Sequence, residues 1–500
     1  MRTAGVLMPI SSLPSRYGIG SMGKEARDFV DFLEEGGQTL WQILPLNPTG
    51  FGDSPYASFS TYAGNPYFID LEYLIEEQLL TRDECEFYHW GSDPHRVDYG
   101  VLYASRYTLL KCAYARFLED IPEEYEKFCE EQAFWLEDYA MYMALKDANA
   151  GKAWWNWEED IKFRKPEAVA KAKVVMKDAM GFYKMLQYLF YEQWWQLKYY
   201  ANSHGILIIG DVPIYVSLDS ADVWANPKEF QLDKNLAPTD VAGCPPDAFS
   251  EDGQLWGNPL YRWSAMKKEG YTWWTNRVRA MSEIYDIVRL DHFRGFESYY
   301  AIPYGDKTAK NGKWVKGPGM HFFRHLENTL GTLPIIVEDL GLLTDAVKEL
   351  LRDSGCPGMK VLQFAFDGDD GDYLPHNHIR HCVVYTGTHD NDTTMGWLNS
   401  CSEATLKRVK EYLNLTEEEG YNWGVMRAAW SSVANIAIVP MMDLLGLGSE
   451  ARLNAPSTTG SNWQWRATED QINSHLAKKL YQKMKLYSRL PKEEEEEEED

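Results

Sequence analysis

Several things are missing from this chain. Its seven cysteines, at positions 85, 112, 129, 244, 356, 382 and 401, are odd in number and scattered, with no CxxC and no Cys/His metal spacing. A disulfide framework or zinc site is therefore not expected; reduced, mostly buried thiols in a cytoplasmic protein are. No apolar run approaches the roughly 18 residues that would cross a bilayer. The opening MRTAGVLMPI has one arginine and a short apolar run, but no long apolar stretch and no small-residue cleavage site, so it does not read as a secretory leader. Basic charge is scarce. The chain has 50 Lys and Arg against 75 Asp and Glu, a net charge of −25. Nucleic acid and anionic membrane surfaces need clustered cations, so neither is expected as the main partner. A GxGxxG loop is also missing after the first candidate strand, where ISSLPSRYGIGSMG stands. That weighs against an open dinucleotide-binding sheet.

What is present in excess is aromatic. The 19 Trp and 31 Tyr suit sugar faces, which offer C–H groups to a flat ring and hydroxyls to its rim, although the same residues also fill cores. Eight short apolar runs bounded by turn residues read as buried parallel strands: 5–10, 39–46, 205–214, 286–293, 334–340, 359–366, 382–390 and 435–446. Helical patterns lie between them. In 24–37, Ala26, Phe29, Val30 and Leu33 share one face and Gly36-Gly37 stop the helix; Thr344 is placed to cap the helix that follows it. Strand and helix alternating eight times predict an α/β fold, a (β/α)8 TIM barrel. It fills one domain over 1–490. A mainly helical, aromatic-rich insertion occupies about 50–180, and a second, at about 220–280, carries a lid loop around VAGCPPDAFSEDGQLWGNPLYRW. Insertions after strands stand over the face where barrels keep their active sites. Beyond 446 the pattern is loop and basic helix, with no C-terminal β-sandwich, and the acidic 491–500 reads as a disordered, solvated tail.

Charged residues collect at the predicted C-terminal strand ends. They are Asp211, then Arg289, Asp291 and His292, then Glu338 and Asp339, then His389, Asp390 and Asp392, and Asp443. Hard-metal binding is one reading of such carboxylates. Arg289 and Arg294 beside Asp291 argue against it, so no metal is expected. Glycoside chemistry by paired carboxylates is the other. Arg289 is two residues from Asp291 and shares its strand face. A guanidinium there is expected to lower the Asp291 pKa and keep it ionised, as a nucleophile needs. The apolar approach IIV is expected to raise the pKa of Glu338, as a proton donor needs. Alternation puts only one of Glu338 and Asp339 inward without saying which. Taken singly, Asp291 with Arg289 reads equally well as a rim ion pair, His389 as a satisfied rim histidine and Asp211 as a turn cap.

The motifs ISSLPSRYGIG, WQILPLNPTGFGDSPYASFSTYAGNPYFIDL, GDVPIYVSLDSADVW, GCPPDAFSEDGQLWGNPLY, VRLDHFRGF, VEDLG, TGTHDNDT and NWQWR, in this order, resemble those of the 4-α-glucanotransferases. These are the amylomaltases or disproportionating enzymes, glycoside hydrolase family 77 of the α-amylase clan. The resemblance implies Asp291 as nucleophile, Glu338 as general acid/base and Asp390 as a third carboxylate holding sugar hydroxyls. It implies that Arg289 orients the nucleophile and that His389 and Asp211 contact the same sugar. Ser54 and Tyr56 would form a substrate-contacting turn, Trp256 a lid over the acceptor side, and Asn462 part of a second loop near the cleft. No cofactor, catalytic metal or obligate protein partner is implied. Donors would be α-1,4-glucans, and the acceptor the 4-OH of glucose or another glucan. An α-glucan hydrolase of the same clan and a non-catalytic glycan-binding protein are the rival expectations.

Overall fold

The computed structural model describes residues 2–246, 250–341, 343–366 and 371–491; the acidic tail expected at 491–500 lies outside them from residue 492 on. In chain order the strands are β1 (Thr3–Leu7), β2 (Leu40–Gln42), β3 (Leu207–Val212), β4 (Asp240–Cys244), β5 (Gln254–Pro259), β6 (Ile287–Leu290), β7 (Ser298–Pro303), β8 (Lys313–Lys316), β9 (Ile335–Val337), β10 (Gly358–Val361), β11 (Cys382–Tyr385) and β12 (Ile436–Pro440). Eight of them form one parallel sheet in the order β10-β11-β12-β1-β2-β3-β6-β9. No ladder joins β9 to β10 among the described residues. The circle is completed there by the Val337 N–H on the Pro357 carbonyl, at 3.1 Å. This is a (β/α)8 barrel, and each of the eight apolar runs contributes a strand to it.

Burial on both faces makes those runs continuous in apolar residues: Val6, Leu7, Ile208, Ile209, Val383, Val384, Ile438 and Val439 have no exposed surface. The observed strands are shorter than the runs. The run at 286–293 stops pairing at Leu290, and His292 takes φ +47°. The run at 435–446 gives way to a helix, Met441–Leu445. Apolar character continues past each strand because the turn beyond it is also buried. Helix Lys24–Glu35 buries Ala26, Phe29, Val30 and Leu33 as expected. Thr344 caps Asp345–Ser354 by accepting the Val347 N–H at 3.4 Å.

Between β2 and β3 the described chain is helical, from Leu71–Glu76 to the long helix Lys177–Ser203. Most of the aromatic excess is core here and in the barrel. Trp41, Trp154, Trp194, Trp224, Trp274 and Trp430 are among the largest fully buried side chains. Composition alone therefore overstated the number of rings free to meet a sugar.

A second, antiparallel sheet in the order β5-β4-β7-β8 takes its strands from either side of β6. The chain leaves β6 through Asp291–Phe293 and one helical turn, Arg294–Glu297, and enters β7 directly. No strand follows β12 among the described residues, whose last helix is Ser474–Leu486. No described helix is long and apolar enough to cross a membrane.

Arg489, just past that last helix, is fully buried and has no carboxylate partner among the described residues. Its guanidinium donates to the carbonyls of Trp430 (2.7 Å), Thr3 (2.7 Å), Ala434 (3.0 Å) and Ser432 (3.1 Å). It thus ties the C-terminus to the entrances of β1 and β12. The Trp430 and Ser432 carbonyls also accept from Arg2, so removing Arg489 costs chiefly its bonds to Thr3 and Ala434, about 1–3 kcal/mol for each acceptor left unpaired. Arg489→Ala is expected to lower the thermal midpoint markedly in calorimetry; an unchanged midpoint would deny the residue this role.

Candidate active site

Asp211 near the end of β3 and Arg289 near the end of β6 are register partners on adjacent parallel strands, so their side chains leave the sheet side by side. Arg289 Nη1 donates to both Asp211 oxygens at 2.6 Å and to Asp291 Oδ1 at 3.2 Å. Its Nη2 lies 3.4 Å from Glu338 Oε2. One buried guanidinium therefore joins carboxylates from three neighbouring strands. Burial opposes its charge, but Asp211, Glu338 and Asp291 together hold its pKa well above the ordinary value. Burial conversely raises the pKa of Asp211, against the pull of Arg289.

Asp291 departs from expectation. Arg289 does favour its anion, but burial and the Glu338 charge outweigh that, and the Asp291 carboxyl is pushed up to about 7. Both carboxyls lie within reach of the same guanidinium, Asp291 Oδ1 at 3.2 Å and Glu338 Oε2 at 3.4 Å. Sequence proximity overstated Arg289 as the private partner of Asp291; its closest bonds go to Asp211.

The choice between Glu338 and Asp339 is made by Gly358. Asp339 turns away from the cleft and accepts the Met359 N–H at 2.6 Å, and a Cβ on Gly358 would fall 2.6 Å from its carboxylate. Glu338 then faces Asp291, held by the His292 N–H at 2.9 Å. That bond depends on the left-handed His292 backbone. Burial brings the His292 ring down to about 4, so it is neutral at pH 7.

Across the cleft the Tyr56 hydroxyl donates to Asp211 Oδ2 at 2.8 Å, and its ring stacks on His389 at 5.0 Å between centroids. His389 Nε2 lies 3.4 Å from Asp390 Oδ1. The Asp390 side chain is 49% exposed, so it meets solvent in the open cleft. Asp443 is buried and fully engaged by Thr386 and Thr394; it braces the barrel end instead of facing the cleft. Among the described residues, no group of three or more His, Cys, Asp or Glu side chains is arranged to hold a metal ion.

The family model for 4-alpha-glucanotransferase matches residues 8–471 of this sequence. The chain belongs to that family. It is 50% identical to the 4-alpha-glucanotransferase of Clostridium butyricum, over 96% of this chain and all of that one. It is 46% identical to that of Thermus thermophilus, over 96% of this chain and 97% of the relative. An amylomaltase from Streptococcus agalactiae, solved in complex with acarbose, superposes with a TM-score of 0.96 at 39% identity, covering 98% of this chain and all of that one. The chain is a 4-alpha-glucanotransferase in sequence, in fold and in the transferase activity these relatives carry.

The remaining residues read from the motifs fall in different places. Trp256, on β5, is 37% exposed and presents its ring edge-on to His292 at 4.9 Å. The lid segment 243–258 is described except for 247–249, which lie outside the described residues. Ser54 shapes the turn, its Oγ accepting the Tyr56 N–H at 3.2 Å. Asn462 is buried, and its amide bonds to Ala455 and Thr458 of its own loop. Its amide ties the two sides of that loop together. Three residues went unread. Trp463, at φ +63°, packs beside Tyr56 at 5.8 Å and His389 at 6.0 Å. Its neighbours in NWQWR were visible in the sequence, its orientation was not. His292 was visible only as one charge in a cluster. Asn454 donates to Asp390 Oδ1 at 2.6 Å from 64 residues away, and no local pattern marks it.

Proposed function

We propose that this chain transfers a segment of an α-1,4-glucan to the 4-OH of glucose or another glucan through a covalent intermediate, with retention of configuration. The arrangement that supports this reading is Asp291 and Glu338 at the ends of adjacent strands, both beside the single buried guanidinium of Arg289. A retaining mechanism uses such a pair, one carboxylate as nucleophile and its neighbour as acid and then base. Asp291 attacks the anomeric carbon as Glu338 protonates the leaving oxygen. The C–O bond to the leaving sugar breaks and a β-glucosyl ester forms on Asp291. Glu338 then removes the proton of the incoming hydroxyl. Asp390, His389 and the Tyr56–Asp211 pair hold the hydroxyls of the sugar being transferred.

The acceptor competes with water at about 55 M, so transfer requires an oriented acceptor and a sheltered ester. The segments 243–258, with Trp256, and 453–466, with Trp463, are the elements assigned to that task. The helical insertion at about 50–180 and the segment at about 220–280 form the cleft walls. The seven scattered cysteines, with no CxxC spacing, accord with a reducing, cytoplasmic setting.

Incubation with pure maltotriose is expected to give glucose plus a ladder of longer maltooligosaccharides. Shortened products alone would identify a hydrolase, and unchanged maltotriose a binding protein.

A further inference from the structure

Asp390 is half exposed, yet its carboxylate needs one fixed orientation to hold a sugar. Asn454 Nδ2 donates to its Oδ1 at 2.6 Å, and His389 Nε2 lies 3.4 Å from the same oxygen. Among the described residues no donor bonds Oδ2, and the side chain is 49% exposed. The segment 452–454 wraps the same turn through the Asn454 backbone and the Arg452 guanidinium. The Asn454 N–H donates to the His389 carbonyl at 3.1 Å, Arg452 Nη2 to the Asp390 carbonyl at 2.7 Å, and Arg452 Nε to the Asn454 carbonyl at 2.7 Å. Immediately beyond, the Trp463 N–H donates to the Leu453 carbonyl at 2.7 Å, which attaches the Trp463 ring beside Tyr56 and His389 to this wrap.

We infer that Asn454 is a positioning residue for the transfer reaction. It holds Asp390 Oδ1 so that Oδ2 is presented to the sugar, and it couples that carboxylate to the loop bearing Trp463. The inference rests on the reading of Asp390 as the sugar-holding carboxylate. A charge-assisted amide bond to a carboxylate is among the stronger hydrogen bonds, and its loss acts where the sugar is distorted. The alternative is that Asn454 only ties two loops together. The Asn454 backbone and the Arg452 guanidinium already do that and survive a change of the Asn454 side chain.

The test separates the two. Asn454→Ala is expected to lower kcat/KM on maltotriose by about tenfold or more, chiefly in kcat, with the thermal midpoint little changed. Asn454→Asp keeps the shape but cannot donate when ionised. It places a second carboxylate against Asp390 Oδ1, and the two then share a proton only at lower pH. The groups facing Asp390 are His389 on its own turn, Arg452 and Asn454 on the wrap, and Tyr56 opposite; Asp392 is turned away to Ser449. None of them is placed to restore the lost donor, so the activity of Asn454→Asp relative to the parent at the same pH is expected to rise as pH falls. Asn454→Ala within twofold of the parent, or Asn454→Asp with the parental pH profile, would overturn the inference. Asp390→Asn is the control. If it retains full activity, the reading of Asp390 fails first and independently.

Discussion

Asp291→Asn is expected to lose transfer activity by about 10⁴-fold or more, since it removes the only atom proposed to form the covalent bond. The same substitution is expected to stabilise the folded chain above pH 7. The sign follows from the direction of the shift. Asp291 is pushed up to about 7 in the folded protein, from an ordinary value of 3.8. Between those values the folded state binds the extra proton, so stability falls as pH rises through the window and the full deficit is present above it. An uncharged Asn avoids that deficit. The gain is a few kcal/mol at most, because 24% of the side chain meets water. Thermal melting at pH 8 and pH 4 checks it: the variant should melt higher than the parent at pH 8, with the difference gone at pH 4. Equal midpoints at both values would mean that the carboxyl is not held protonated. In the parent, kcat/KM should fall on the acid side of about 7, as the nucleophile takes up its proton.

Glu338→Gln is expected to lose about 10²–10⁴-fold on maltotriose, because a sugar leaving group needs a proton. The informative comparison uses a donor that needs none, such as α-maltosyl fluoride. Its first step should proceed in Glu338→Gln, while the ester on Asp291 accumulates for want of a base. Added azide, which needs no deprotonation, should then capture the ester as α-maltosyl azide. Failure of the fluoride to rescue the first step, or a β-azide product, would remove Glu338 from the acid/base role. Gln keeps an oxygen for the His292 N–H, which Glu338 accepts at 2.9 Å. The Glu338→Gln variant is therefore expected to keep its geometry.

Much of the barrel was legible because a strand buried on both faces writes itself as an unbroken apolar run. Strand ends were less legible, since the turns beyond are buried too. The carboxylates were visible as types and positions. Their electrostatics were not, because these depend on pairs distant in sequence. Arg289 was read with Asp291, two residues on, whereas its closest partner is Asp211, 78 residues back. The Asp291 pKa turned first on burial and then on Glu338, one strand over. Gly358 decided between Glu338 and Asp339 through the absence of a side chain, which no pattern around VEDLG records. Asn462 was read from its place beside a motif; its amide proved to serve its own loop.

The small antiparallel sheet has a practical meaning for engineering. Its strands come from 240–259 and 298–316, and β6 with Asp291 lies between the two halves. The small sheet is consequently not a module that can be exchanged alone. Any graft that replaces it intact must carry residues 240–316 as one cassette, and with them Asp291, Arg289 and the His292 turn. Recombination that separates the sheet from these residues would have to break it.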